Sequence, residues 1–167
     1  MVDAHLLFTA HRDGVFRYLC RIVGQGEARD LTQEVFLRVA RGPVPEASEE
    51  AQRAWVFRIA RNLALNHVRD GQRQPLTVEL SDTSRPATQE MALALHEALG
   101  SLAALDRDVF LLREAAGLTY EEIALARDLS VDAVGSRLHR ARLQLRELLR
   151  PLLGVAQDQD VRLYGKY

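Results

Sequence analysis

The sequence is nearly without cysteine: Cys20 is the single one in 167 residues. No internal disulfide can form, and Cys20 falls on an apolar face of the first helical stretch, where a buried thiol is expected. No basic-then-apolar leader opens the chain, and no apolar run approaches a membrane span. A cytoplasmic protein with no membrane insertion is the expectation. Strict alternation of apolar and polar residues is scarce, which argues against strands. Net charge is nearly absent too, at −1, which argues against a generic nucleic-acid coat. The five histidines are scattered, and His96-Glu97 lacks the second histidine of a zinc-protease helix, so no metal site is expected. No phosphate-cradling glycine loop and no nucleophile paired with a base occur. Neither catalysis, nor a cofactor, nor a small-molecule substrate is therefore expected. Internal repeats and low-complexity runs are also missing.

What is present is helical periodicity. Apolar residues, within a 47% hydrophobic total, recur at steps of three and four. The pattern predicts helices over about 4–23, 27–41, 53–70, 90–99, 104–115, 119–127 and 131–150. Gly42-Pro43 ends the second helix, and the acidic loop "GPVPEASEEA" leads to the third. The stretch "QPLTVELSDTSRPATQ", residues 74–89, has two prolines and no sustained period, and reads as a linker. The expected fold is all-α, with two small helical domains, 1–73 and 90–153, joined by a flexible linker over 74–89. The tail over 154–167 suggests no role.

Charge is unevenly placed. Arg53, Arg58, Arg61, Arg69 and Arg73 face a single acid, Asp70, in one stretch. Arg137, Arg140, Arg142, Arg146 and Arg150 stand against Asp132 and Glu147 in another. Two basic patches in a near-neutral chain point to phosphates at two places, with an acidic or polar surface kept for a protein.

Residues 118–145 form a corner. Thr119 and Glu122 have capping-box spacing, and Ser130 is placed to cap the next helix. About three residues, Asp128-Leu129-Ser130, separate the two helices, the length of a helix-turn-helix turn. Val134, Leu138, Ala141, Leu145 and Leu148 make one apolar stripe. Ala133, Arg137, Arg140 and Gln144 flank it, either as a solvated face or as a surface for DNA, and the arginine content favours DNA.

Two faces in the N-terminal half carry information. In "DLTQEVFLRV", residues 30–39, Leu31, Val35 and Val39 point inward with Phe36 beside them. Asp30, Gln33, Glu34, Leu37 and Arg41 share the opposite face, where a leucine ringed by polar groups suits a protein interface better than bare solvent. In "AWVFRIARNLALNHVRD", residues 54–70, Val56, Ile59, Ala60, Leu63 and Ala64 point inward. Arg58, Arg61, Asn62 and Arg69 lie across from them with Trp55 at the edge. Arginines beside an indole suit single-stranded DNA, although Trp55 serves equally well as a core anchor.

These stretches resemble the extracytoplasmic-function (ECF) sigma factors of bacterial RNA polymerase. The similarity lies in Arg107, Leu112-Arg113-Glu114, Gly117-Leu-Thr-Tyr, Glu122-Ile-Ala124 and the specific run Ser136-Arg-Leu-His-Arg-Ala-Arg142 for conserved region 4. For region 2 it lies in residues 30–39 and 54–70. The resemblance implies a non-enzymatic initiation factor. Asp30, Gln33, Glu34, Leu37 and Arg41 would grip the clamp helices of the largest core polymerase subunit. Trp55, Arg58, Arg61, Asn62 and Arg69 would meet the minus-ten promoter element as it melts. Ser130, Asp132, Ala133, Ser136, Arg137, Arg140, Arg142 and Arg146 would meet the minus-thirty-five element. An anti-sigma factor is implied as a further partner. Several residues depart from the family pattern: Asn66 for Asp, Ala133 and Gly135 for Thr and Lys, Asp128 for a turn glycine. A regulator that binds duplex DNA through the C-terminal half alone is the rival, but it leaves residues 30–39 without a purpose.

Overall fold

The computed structural model describes residues 4–71 and 86–161, with side chains over 4–71 and 89–152. Among these residues there are seven helices and no strand: α1 (Ala4–Val23), α2 (Gln25–Arg41), α3 (Glu49–Gly71), α4 (Pro86–Ser101), α5 (Ala104–Glu114), α6 (Tyr120–Arg127) and α7 (Val131–Val161). The expected all-α fold is observed. Most of the expected linker, along with Arg73, lies outside the described residues; its last four positions already belong to α4. The expected tail is helical in backbone as far as Val161.

Several boundaries differ from the periodicity. Helix α3 begins at Glu49, four residues before Arg53. The Ser48 hydroxyl accepts the Ala51 N–H at 3.3 Å, and Glu49 and Glu50 sit where the helix dipole favours acids. Gln52, nearly buried, donates to the carbonyls of Pro45 at 3.2 Å and Ala47 at 3.1 Å. This side chain fastens the acidic loop to the helix it precedes. Helix α7 runs past Pro151, and Leu148 is 46% exposed rather than inward. Leu149 takes the inner place one residue on.

In the first unit α1, α2 and α3 pack around Val15, Tyr18, Leu19, Ala28, Val35, Val39, Val56 and Ala60. Thr32 joins the inner face of α2, its hydroxyl donating to the Ala28 carbonyl at 2.6 Å, while Leu31 is half-buried. Cys20 is half-buried against this core, and burial pushes its thiol pKa up. In the second unit α7 lies across α4, α5 and α6.

The two units dock. Helix α3 packs along α6, and α1 touches α5. One apolar cluster runs without a break from Val15, Tyr18 and Phe57 to Leu112, Leu118, Ile123 and Leu138. Phe57 sits at the seam, 1% exposed, with its ring edge-on to Tyr18 at 5.9 Å. Burying such a ring contributes about 1.5–3 kcal/mol. Gly14 faces this seam: a Cβ there would meet the Phe57 ring at 3.4 Å and the Ala116 carbonyl at 3.5 Å, ordinary contact distances.

Candidate nucleic-acid and partner interfaces

The corner between α6 and α7 is built as its residues dictate. The Thr119 hydroxyl accepts the Glu122 N–H at 3.2 Å, and the Glu122 carboxylate accepts the Thr119 N–H at 2.7 Å. These bonds satisfy two donors that a helix start leaves open. Asp128 closes α6 in the left-handed region, at φ 53° and ψ 47°, as its position in the turn requires. Ser130 then accepts the Ala133 N–H at 3.1 Å to start α7. Val134, Leu138, Ala141 and Leu145 are buried. The opposite side of α7 exposes Asp132, Ser136, His139 and Arg140, with Ala133 and Gly135 half-exposed. His139 was not singled out by its sequence context, although, one turn from Ser136 and about two from Asp132, it shares their face.

The arginines of α7 differ among themselves. Arg137 donates from Nη1 to Asp106 at 2.7 Å, and Arg140 Nε lies 3.3 Å from the other oxygen of the same carboxylate. Arg142 donates to Glu114 at 2.8 Å. Arg146 is exposed and has no ion pair among the described residues. Arg140, Arg142 and Arg146 are open to solvent, and Arg137 is more deeply covered.

The arginines of α3 are placed otherwise. Arg53 donates to the Glu122 carboxylate at 3.2 and 3.3 Å and to the carbonyls of Ala116 and Gly117 at 3.1 and 3.3 Å. Arg58 donates to the Leu125 carbonyl at 2.6 Å and to Asp128 at 3.1 Å. Arg61 donates to Asp108 at 2.6 Å, and Tyr18 donates to the other oxygen of Asp108 at 2.9 Å. Arg127 completes the cluster with an ion pair to Asp108 at 2.7 Å. Burial pushes the Tyr18 phenol well above its ordinary pKa, with the Asp108 charge adding to the effect. Arg53 and Arg61 of the first patch are thus largely covered by the second unit in this arrangement, while Arg58 bonds to it with 45% of its side chain still exposed. Asn62 and Arg69 stay exposed, Arg69 donating to Asn66 at 3.0 Å. Trp55 is half-buried against the core, so its packing matches a core anchor.

On α2, Asp30, Gln33, Leu37 and Arg41 are exposed and Glu34 half-exposed. Leu37 is 39% exposed. Glu34 accepts from Arg38 at 2.8 Å. Gln33 and Leu37 border an apolar groove of about 690 Å³ between α1 and α2, floored by Phe8, Phe16 and Phe36. Neither a metal-holding cluster of His, Cys, Asp or Glu nor a helix long and apolar enough to cross a membrane occurs among the described residues.

Comparisons with known proteins find a family match in each half of the chain. Residues 7–74 match the family Sigma-70 region 2, and residues 92–145 match Sigma-70, region 4. The chain is 34% identical to the ECF RNA polymerase sigma factor SigE of Mycolicibacterium smegmatis, over 86% of this chain and 60% of that protein. It is 32% identical to the RNA polymerase sigma-H factor of Pseudomonas aeruginosa, over 89% of this chain and 86% of the relative. A solved structure of CnrH in complex with the cytosolic domain of CnrY matches with TM-score 0.64 and 25% identity, covering 89% of this chain and 88% of that one. The sigma factor RpoE of Bartonella quintana, solved with the anti-sigma factor NepR, shares the fold at TM-score 0.64 and 20% identity, covering 87% of this chain and 96% of that one.

A helical unit of region 2 type followed by a helix-turn-helix unit of region 4 type defines a sigma-70-class factor. The chain belongs to the ECF sigma factors of bacterial RNA polymerase, the alternative sigma factors that direct transcription initiation. Sigma factors are non-enzymatic initiation factors.

Proposed function

We propose that this chain binds core polymerase through α2, melts and reads the minus-ten element through α3, and reads the minus-thirty-five element through α7. Residues 1–73 act as the region 2 domain and 90–153 as the region 4 domain, with 74–89 as the hinge between them. Asp30, Gln33, Glu34, Leu37 and Arg41 meet the clamp helices of the largest polymerase subunit. Arg58, Arg61, Asn62 and Arg69 meet the minus-ten strand with Trp55 supporting the helix from its packed edge. Ser130, Asp132, Ala133, Ser136, Arg137, Arg140, Arg142 and Arg146 meet the upstream duplex. The chain has no catalysis of its own and works in the cytoplasm. CnrH was solved with the cytosolic domain of CnrY and RpoE with the anti-sigma factor NepR, and an anti-sigma factor is proposed here too.

The observation that carries this reading is an asymmetry. The α7 face is open while Arg53, Arg58 and Arg61 are held against the second unit. Full DNA contact by α3, including Arg61, therefore requires the units to part, a step that binding to polymerase would drive. The rival, a duplex-binding regulator that uses α7 alone, draws on the same asymmetry because it needs no parting. Reconstitution with purified core polymerase separates them. The sigma reading expects a stable complex and promoter-dependent transcripts. Duplex binding without any affinity for core polymerase would sink it.

A further inference from the structure

Asp106 is a carboxylate in the first turn of α5, 2% exposed, and its acid character has no partner on its own helix among the bonds described. Both of its oxygens face the recognition helix. One accepts from Arg137 Nη1 at 2.7 Å and the other lies 3.3 Å from Arg140 Nε. The two arginines are three residues apart and so share one face of α7. Their side chains are 28% and 61% exposed, respectively.

We infer that Asp106 is a positioning residue for promoter recognition: by holding both arginines it aims Arg140 at the upstream duplex. The inference rests on the reading of α7 as the duplex-reading helix. An arginine reads guanine through a planar fork whose donors must meet two acceptors at once. A long side chain left free must lose rotamer freedom before it can do so. The ion pair engages Arg140 at Nε, near the base of the fork, and so leaves its two Nη groups to meet a base. Arg137 is engaged at Nη1 and more deeply covered, which makes it the strut that keeps the carboxylate in place. Asp106 also offsets one of the two positive charges, which lowers the attraction to phosphate of any sequence. The net effect is a head biased toward specific contact over indiscriminate contact.

The test uses holoenzyme reconstituted from core polymerase and the full chain. Its probes are an upstream duplex selected from a randomised library by the wild-type holoenzyme, and the same duplex scrambled. Asp106→Asn keeps the shape but removes the charge. It is expected to weaken binding to the selected duplex by about tenfold, the scale of one well-made base contact, without weakening binding to the scrambled one. Loss of affinity for both duplexes alike, or for neither, overturns the proposal. If the wild-type holoenzyme selects no upstream sequence, or Arg140→Ala changes nothing, the reading of α7 fails first, and the two failures are distinguishable. Should Asp106→Asn fail to fold, nitrogen-15 relaxation of the Arg140 Nε–H in the unmodified free chain decides the matter. Order close to that of the backbone supports the proposal, and a freely rotating side chain overturns it.

Discussion

Helices α3 and α7 have similar arginine-rich outer faces, yet the molecule employs them differently. Every arginine of α3 between 53 and 61 makes a contact across the seam between the units. Those of α7 are held by acids of their own unit, or by none. The difference lies in where the acids are. Asp108, Glu122 and Asp128 are spread along α5, α6 and the turn after it, on the side facing α3. Asp106 and Glu114 stand beside α7. The position of the carboxylates, rather than the number of arginines, sets which basic face is closed and which is open.

The comparison breaks most visibly at Asp108. Asp108→Ala leaves Arg61, Arg127 and the Tyr18 hydroxyl without their shared acceptor in a mostly buried site. Removal of one partner from such a cluster costs about 3 kcal/mol. The expected outcome is a wider distribution of distances between labels on α2 and α7 in the free chain, with helicity retained. Single-stranded oligonucleotide should then bind better, because α3 is uncovered. A distribution identical to that of the wild type would mean that the apolar seam alone holds the units together.

A second prediction concerns the face that neither arrangement hides. Leu37→Ala should reduce affinity for core polymerase by about 2 kcal/mol, the scale of an interface hot spot. Melting temperature should barely move, since Leu37 is not part of the core. Equal core affinity in a titration would misplace the interface.

On α7 the expected effects are smaller and divide in kind. Arg140→Ala should cost about 1–3 kcal/mol on a selected duplex and relax preference at one position. Arg146→Ala should weaken all duplexes alike and reduce the salt slope by about one. If the two variants behave identically across sequences and salt, α7 holds DNA without reading it.

How much of this was legible beforehand follows the range of the interactions. The corner could be read because its contacts are local: Thr119 to Glu122, Ser130 to Ala133, and a left-handed Asp128 between them. The buried stripes of α2 and α3 could be read because burial follows periodicity. The early start of α3 was hidden, since Gln52 reaches back to carbonyls of a loop that looked merely acidic. The closed seam was hidden for a different reason. Arg58 and Arg61 lie on the polar side of their helix, as a solvent or DNA face would, and their partners stand 47 to 70 residues away. The available signal was a pair of acids, Asp106 and Asp108, straddling Arg107 just before the apolar run over 109–112 of α5. Each proved to serve a different arginine face.

The smallest expected effect is a response to acid. Burial holds the His11 pKa below its ordinary 6.5, and the nearby Arg53 charge lowers it further, against opposing contributions from Glu122 and Glu49. The unfolded chain therefore takes up a proton near pH 6.5 that the folded chain resists. Stability is full above that pH and falls as pH drops toward the folded-state pKa. His11→Gln should flatten this part of a stability-against-pH curve, measured by denaturant melts. An unchanged slope would assign the pH response elsewhere.

The unbroken apolar cluster that joins the units has a consequence for timing. If the closed form is favoured by about 3 kcal/mol, roughly 1% of free molecules are open at any moment. Any ligand that needs the open form then binds with an apparent affinity reduced in the same proportion. Leu37 and its groove are accessible in the closed form, so on the proposed assignment capture by polymerase escapes that reduction, while engagement of melted DNA by the covered Arg61 of α3 bears it. Recruitment and promoter engagement are thus separately adjustable. A seam residue such as Phe57, outside every proposed contact with polymerase or DNA, can shift the second without altering the first.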